Sequence, residues 1–416
     1  MSISIFSFCT DITKGNQFTY ESQELYRTQN NIQSQYEGLP EQCSSTTEGE
    51  KIHILWVESR TGFPAFSLKY AQFTLKNATE TIVLDMQAHF CYWKLILGSD
   101  YLYGYYTSFS QYTNSTCDIY FIKTPLTEMN WTKQLIYSYN QTAILNPPSL
   151  TINENDAYLF WTIDNSILSI SSVDKGETWS NVSVIHSTPN FCKTVVAGKL
   201  NNKLHLLWND GRNNSNDLDE LYYIYSIDNG LTWSAETKLI GIPRYTSDYL
   251  GIIPRLNIQA NHIYILFTDT FGEQLYIIHS EDNGITWDIQ TDLFDDKVRY
   301  NFQYSWVTQD EKIAIIRLVS GNWTLIQSND YGETWTNITL EGNYENPTII
   351  FINNHNGIID SGYDAMTDES IIYYSELNTN QFILNAIELI SILLILIFII
   401  AFTIIVFFIR KKRNKQ

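Results

Sequence analysis

Four aspartates recur in one eight-residue setting, Ser-x-Asp-x-Gly-x-Thr-Trp, and are the chain's most regularly placed reactive side chains: Asp174, Asp228, Asp282 and Asp330. The chemistry that fits them is internal to the fold. A carboxylate at that position can turn back onto the next backbone N–H groups, while Gly176, Gly230, Gly284 and Gly332 supply the positive φ of a tight turn. Trp179, Trp233, Trp287 and Trp335 then enter the following strand with the indole packed under the loop. The boxes therefore read as structural staples.

A second acid-rich stretch covers 209–220, with Asp210, Asp217, Asp219 and Glu220. Its polar composition marks an exposed loop, either solvated with a glycan at Asn213 or a binding loop on one face. These acids lack the regular spacing of a calcium loop, and the seven histidines are dispersed without ligand spacing, so neither metal nor cofactor is expected. Five cysteines, Cys9, Cys43, Cys91, Cys117 and Cys192, are scattered and odd in number. Two readings stay open for them: one or two disulfides with a thiol left over, or small buried apolar residues.

The elements that carry the boxes repeat with them. The box tryptophans are 54, 54 and 48 residues apart, a period that stacked or radially repeated architectures write into sequence. Each box follows a β-rich run, with a more apolar run about 20 residues earlier and a short polar strand after it. Four short strands with turns between them make one propeller blade. The stretch 124–131 is a degenerate box that keeps Trp131 but has Leu126 and Glu128 where Asp and Gly belong. Counting the apolar second strands (52–56, 101–105, 157–161, 203–208, 262–267, 312–318 and 357–360) gives seven units. The last unit stops after its third strand, at 371–375, so 18–26 is expected to supply the missing fourth strand and close the ring.

These motifs are similar to those of the Asp-box, or bacterial neuraminidase repeat, family, and the chain resembles that family's sialidases across about 36–376. The resemblance implies an all-β propeller of six or seven blades. Sialidases have six, and the count here favours seven. It also implies that the boxes lie on the rim remote from an active site, which in sialidases holds a Tyr/Glu nucleophile, an Asp acid and three arginines gripping the substrate carboxylate. Glu58-Ser59-Arg60 matches the family's Glu-x-Arg pattern. The preceding motif reads Glu37-Gly38-Leu39-Pro40, so the first arginine position is Gly38, and Thr61 to Phe66 contain no acid. Arg212, Arg244, Arg255, Arg299 and Arg317 remain for the other arginines, with Tyr363 or Tyr373 for the nucleophile. If the protein is active, the catalytic set would come from Arg60, Arg255, Arg317 and Tyr373. With the first arginine and the acid missing, the favoured expectation is a non-catalytic receptor binding a glycan or protein ligand on a propeller face. The alternative is an active membrane-bound exo-α-sialidase.

Charge and hydropathy place this head. The net charge is −19, and setting aside the five basic residues of the tail leaves 21 Lys and Arg against 45 Asp and Glu. So acidic a head repels nucleic acid and anionic surfaces, and a site for an anionic sugar needs a local cluster of cations. Residues 389–409 are 21 consecutive uncharged positions, long enough to span a bilayer, and 387–409 is expected as a transmembrane helix. Arg410, Lys411, Lys412, Arg413 and Lys415 follow, which puts the tail 410–416 in the cytoplasm and the head outside the cell or in a lumen. Residues 1–35 show no basic segment followed by an apolar one, and the rival topology is a tail anchor with a cytosolic head. Eight sequons, at Asn77, Asn114, Asn130, Asn140, Asn181, Asn213, Asn322 and Asn337, favour the luminal head. The expected division is 1–35 closing the last blade, 36–380 propeller, 387–409 membrane span and 410–416 tail.

Overall fold

A computed structural model describes residues 22–28, 32–33, 43–59, 66–74, 81–87, 89–110, 116–140, 146–188, 192–212, 218–243, 254–268, 274–290, 304–319, 322–340, 344, 347–352, 355–364 and 369–377. A short N-terminal strand, β1 (Ser22–Thr28), precedes the ring. The first blade contains β2 (Ile32–Gln33), β3 (Cys43–Glu48), β4 (Lys51–Ser59), β5 (Phe66–Thr74) and β6 (Ile82–Gln87). The second is β7 (His89–Leu97), β8 (Tyr101–Ser110), β9 (Thr116–Pro125) and β10 (Thr132–Asn140). The third is β11 (Ser149–Asn153), β12 (Asp156–Ile163), β13 (Ser166–Ser172) and β14 (Ser183–Ser187). The fourth is β15 (Cys192–Leu200), β16 (Lys203–Asp210), β17 (Leu218–Ser226) and β18 (Thr237–Pro243). The fifth is β19 (Arg255–Gln259), β20 (His262–Thr268), β21 (Leu275–Ser280) and β22 (Asp288–Gln290). The sixth is β23 (Tyr304–Gln309), β24 (Lys312–Val319), β25 (Asn322–Ser328) and β26 (Thr336–Thr339). The seventh joins β27 (Thr348–Ile352), β28 (His355–Asp364) and β29 (Glu369–Leu377) to β1 in the order β1-β29-β28-β27.

Seven antiparallel sheets make a seven-bladed β-propeller, with β3, β7, β11, β15, β19, β23 and β27 innermost. All seven expected apolar second strands are present, as β4, β8, β12, β16, β20, β24 and β28. Their burial explains why they dominate the sequence: β4 and β12, for example, are covered on both faces, so hydrophobic residues run without alternation. Seven apolar clusters hold the ring, one at each blade junction. The cluster that joins the seventh blade to the first contains Ile52, Ile54 and Trp56 with Ile350, Ile359, Ile372 and Tyr374. β1 lies antiparallel to β29, from Ser22 opposite Ser375 to Thr28 opposite Ser370, so the seventh blade takes its outer strand from the N-terminal segment.

Each box works as a staple in two directions. Within the turn, Asp174 accepts from the Thr178 N–H at 2.9 Å and from its hydroxyl at 2.6 Å, while the Ser172 hydroxyl donates to Asp174 and accepts from Gly176 N–H at 2.8 Å. Asp228, Asp282 and Asp330 repeat the pattern. These hydrogen bonds, from the threonine above all, hold the Asp174 and Asp228 carboxyls down to about 2. Across the junction, the indoles of Trp131, Trp179 and Trp287 meet Tyr70, Phe121 and Tyr223 of the preceding blade edge-on, with ring centroids 4.9, 5.0 and 5.0 Å apart. The indole therefore packs sideways onto the neighbouring blade, and the degenerate box keeps that contact after losing its turn residues. A Cβ on Gly176 would stand 2.5 Å from Phe121, so this glycine is required by close approach as well as by its φ of 77°.

Cys91, Cys117 and Cys192, the cysteines whose side chains are described, are free and buried, and burial pushes the Cys117 thiol up to about 12. Among the described residues no helix is long and apolar enough to cross a membrane, and 387–409 lies outside them.

Candidate functional site

The innermost strands β3, β7, β11, β15, β19, β23 and β27 enclose an axial cavity of about 410 Å³. Its lining mixes apolar residues such as Trp93, Val195 and Trp306 with hydroxyl-bearing ones such as Ser44, Thr194 and Thr348. Among the described lining residues only Lys94 and Arg255 carry charge, and no carboxylate is present. In a head with 21 Lys and Arg against 45 Asp and Glu, a lining whose described charged residues are both cations stands apart.

The strand ends on the side opposite the boxes bring two of the sequence candidates together. Arg255 opens β19 and its guanidinium lies over the Tyr304 ring, 4.8 Å from the centroid. Tyr304 opens β23 and pairs with Arg317 on β24, whose side chain is buried. Arg255 thus packs on the ring of a tyrosine that stands opposite Arg317 in the sixth blade. Tyr373 stands elsewhere, in β29 opposite Asp360 and Glu24, and its side chain is not among those described. Tyr363 pairs with Ser370, and Arg60, Arg244, Arg299, Gly38 and 61–65 lie outside the described residues. Glu58 of the Glu-x-Arg pattern is buried and accepts from Lys69 at 2.9 Å, so its charge is neutralised within the first blade.

The acid-rich stretch 209–220 differs from the loop expected. Asp210, Asp219 and Glu220 are fully buried, because β16 and β17 extend through the stretch with Asp210 opposite Glu220. Arg212 donates to Asp210 at 2.9 Å and grips Glu236 at 2.5 and 3.1 Å, while Glu220 accepts from Tyr222 and Lys238. Internal cations and a phenol thus engage Asp210 and Glu220, leaving Asp217 and Asn213 outside the described residues. Of the sequons, Asn130, Asn181, Asn322 and Asn337 are exposed; Asn140 ends β10, and Asn77 and Asn114 are outside the described set.

Sequence reasoning missed Lys94 and Tyr304. A signal existed for the first, since Lys94 is the lone cation inside the apolar run of β7; Tyr304 has none, being one of 28 tyrosines.

No protein-family model matches the chain, and no curated protein matches it. Among solved structures the chain is similar to sialidases and to other propeller glycosidases and lyases. The polysaccharide lyase Uly1 superposes with a TM-score of 0.52 at 10% identity, covering 80% of this chain and 89% of that one. A sialidase from Trypanosoma rangeli, in complex with the inhibitor DANA, gives a TM-score of 0.48 at 10% identity, covering 75% of this chain. The endosialidase of phage phi92 gives 0.49 at 10% identity, covering 86% of this chain and 69% of that one. The chain spans 58% of the length of the trypanosomal sialidase. At such identities the likeness is one of fold, on which unrelated sites are built.

Proposed function

We propose that the protein is a membrane-anchored, sialidase-like propeller that binds an anionic glycan or protein ligand at the axial cavity without hydrolysing it. The carrying observation is the charge of the cavity wall: Lys94 and Arg255 attract an anion, and no described lining residue supplies a carboxyl group. Glycoside hydrolysis uses two such groups flanking the bond, or a tyrosine with an acid in sialidases. The grouping of Arg255, Tyr304 and Arg317 favours a second reading, an exo-α-sialidase, because it supplies arginines beside a tyrosine.

The side on which the last described strand ends bears on how an anchored head would face the membrane. Leu377 ends β29 opposite Asn356, as Ser328 ends β25 opposite Ile313, so the chain departs from the box side. A span at 387–409 then turns the boxes toward the bilayer and the opposite mouth of the cavity away from it. Val173, Ile227, Leu231 and Ile285, exposed at the boxes, suit that membrane-facing side.

Two measurements on the full chain test this. Sialyllactose is expected to bind with Arg255→Ala weakening it about 10- to 100-fold, the worth of a charge-assisted contact, and no fluorogenic sialoside is turned over between pH 4 and 8. Turnover lost in Arg255→Ala would establish the enzyme, and binding unchanged in the Lys94→Ala/Arg255→Ala double variant would remove the cavity site. Endoglycosidase treatment of the cell-expressed protein is expected to lower its apparent mass through exposed Asn130, Asn181, Asn322 and Asn337. No change in mass would put the head in the cytosol.

A further inference from the structure

The fifth blade joins two of the histidines that linear spacing keeps apart. His262 is the first residue of β20 and His279 stands one before the end of β21, and the hairpin between them sets His262 Nδ1 2.9 Å from His279 Nε2. A ligand atom of Glu281, the second residue of the third box, lies within 4.8 Å of both. We propose that His262, His279 and Glu281 form a transition-metal site on the box side of the propeller, with Zn²⁺ as the ion the donors suit.

Two imidazole nitrogens and one carboxylate are a zinc donor set that leaves a fourth position open to water or an incoming ligand. The two nitrogens now share a proton. Tetrahedral bonds of about 2.0–2.1 Å require donors roughly 3.3 Å apart, so exchanging proton for metal opens the pair by only a few tenths of an ångström. His262 is half-buried at the start of β20 and Glu281 is exposed, so neither adjustment displaces a core side chain.

The rings are already held. His262 stacks on Tyr331 of the sixth blade, centroids 4.4 Å apart and planes within 12°, and His279 stacks on Tyr264 at 4.4 Å and 7°. Asn283 N–H donates to Asn261 O at 3.2 Å, which ties the box bearing Glu281 to the turn bearing His262. Such supports fix ligand direction as outer-shell partners do in metal sites.

The repeat supplies an internal control. The positions equivalent to His262, His279 and Glu281 are Asp156, Ser171 and Val173 in the third blade, Lys203, Tyr225 and Ile227 in the fourth, and Lys312, Gln327 and Asn329 in the sixth. The blade architecture therefore does not require the triad. In the fourth blade this spot already holds a cation, with the Lys203 ammonium 3.8 Å from the centroid of the Tyr225 ring.

The test uses the full chain, stripped with chelator and titrated with Co²⁺ and then Zn²⁺. One Co²⁺ per chain is expected, with the strong visible absorption of tetrahedral cobalt, displaced by one Zn²⁺. Glu281→Gln and His262→Gln should each weaken binding at least about tenfold, the scale of losing a ligand's support, with near-ultraviolet circular dichroism unchanged. Absence of the tetrahedral spectrum in the parent protein would overturn the proposal. So would cobalt binding that survives in the double variant. Should His262→Gln disturb the fold, Glu281→Gln, at an exposed side chain, decides alone.

Discussion

Removing residues 22–28 is expected to make the propeller self-associate and melt at a lower temperature. β1 contributes six paired residues to β29, and nothing else among the described residues covers that edge. The net worth of a hydrogen bond is about 0.5–1.5 kcal/mol, so losing this ladder costs several kcal/mol of a total stability near 5–15. The exposed strand is Glu-Ser-Ile-Ile-Tyr-Tyr-Ser-Glu-Leu, apolar through its middle, which is the kind of open edge that recruits a second chain. Its Ile372 and Tyr374 also belong to the cluster joining the seventh blade to the first, so fraying at β29 loosens the ring where its two ends meet. A milder variant, Tyr26→Pro, keeps the chain length and interrupts the ladder between Ser22 and Thr28. Size-exclusion with light scattering and thermal unfolding report both. A monomer with unchanged melting after the deletion would show that the ring closes without β1.

The repeat was legible because its determinants are local. Ser172, Asp174, Gly176 and Thr178 bond to one another within seven residues, so the turn imposes its residues wherever it recurs. The apolar second strands were legible for a different reason, their burial on both faces. Other turn positions leave a weaker mark: Lys175, Asn229, Asn283 and Tyr331 all adopt φ between 57° and 59°, and only two of the four are the asparagine that this conformation favours. The candidate site was far less visible. Lys94 and Arg255 come from the second and fifth blades and line one cavity only because seven inner strands surround it. Asp210 and Glu220 misled in the opposite direction, since acid-rich composition signals solvent, whereas here strand pairing buries the acids beside Arg212 and Lys238. His262 and His279 are far apart in sequence, and only the register placing His279 opposite Tyr264 brings them together.

Acidification from pH 7 to 4 is expected to destabilise the propeller through His53 and His205. Both side chains are fully buried, and both are held at about 4, well under the ordinary 6.5, chiefly by loss of solvation. Glu48 partly opposes this at His53, while Lys203 adds to it at His205. The folded state therefore prefers neutral imidazole, and the unfolded chain takes up protons first. Stability from this source is complete above pH 6.5, declines as pH falls toward 4, and is gone below that value. Integrated over the window it is on the order of 3 kcal/mol for each histidine. The carboxylates of Asp174 and Asp228 act in a separate, lower window: held to about 2, they keep their contribution until pH drops below the ordinary carboxylate range. Urea midpoints at pH 7, 5.5 and 4 should fall steadily, and the His53→Gln/His205→Gln double variant should flatten the profile; a parent protein with pH-independent midpoints would sink the idea. The effect should be felt at the blade junctions. His53 Nδ1 lies 2.8 Å from the Tyr70 hydroxyl, which donates to Met129 beneath the degenerate box, and His205 Nδ1 lies 2.8 Å from the Tyr223 hydroxyl, packed under Gly284. Protonating either ring thus strains the seat of the next blade's turn, so acid should part the ring between the first and second blades and between the fourth and fifth.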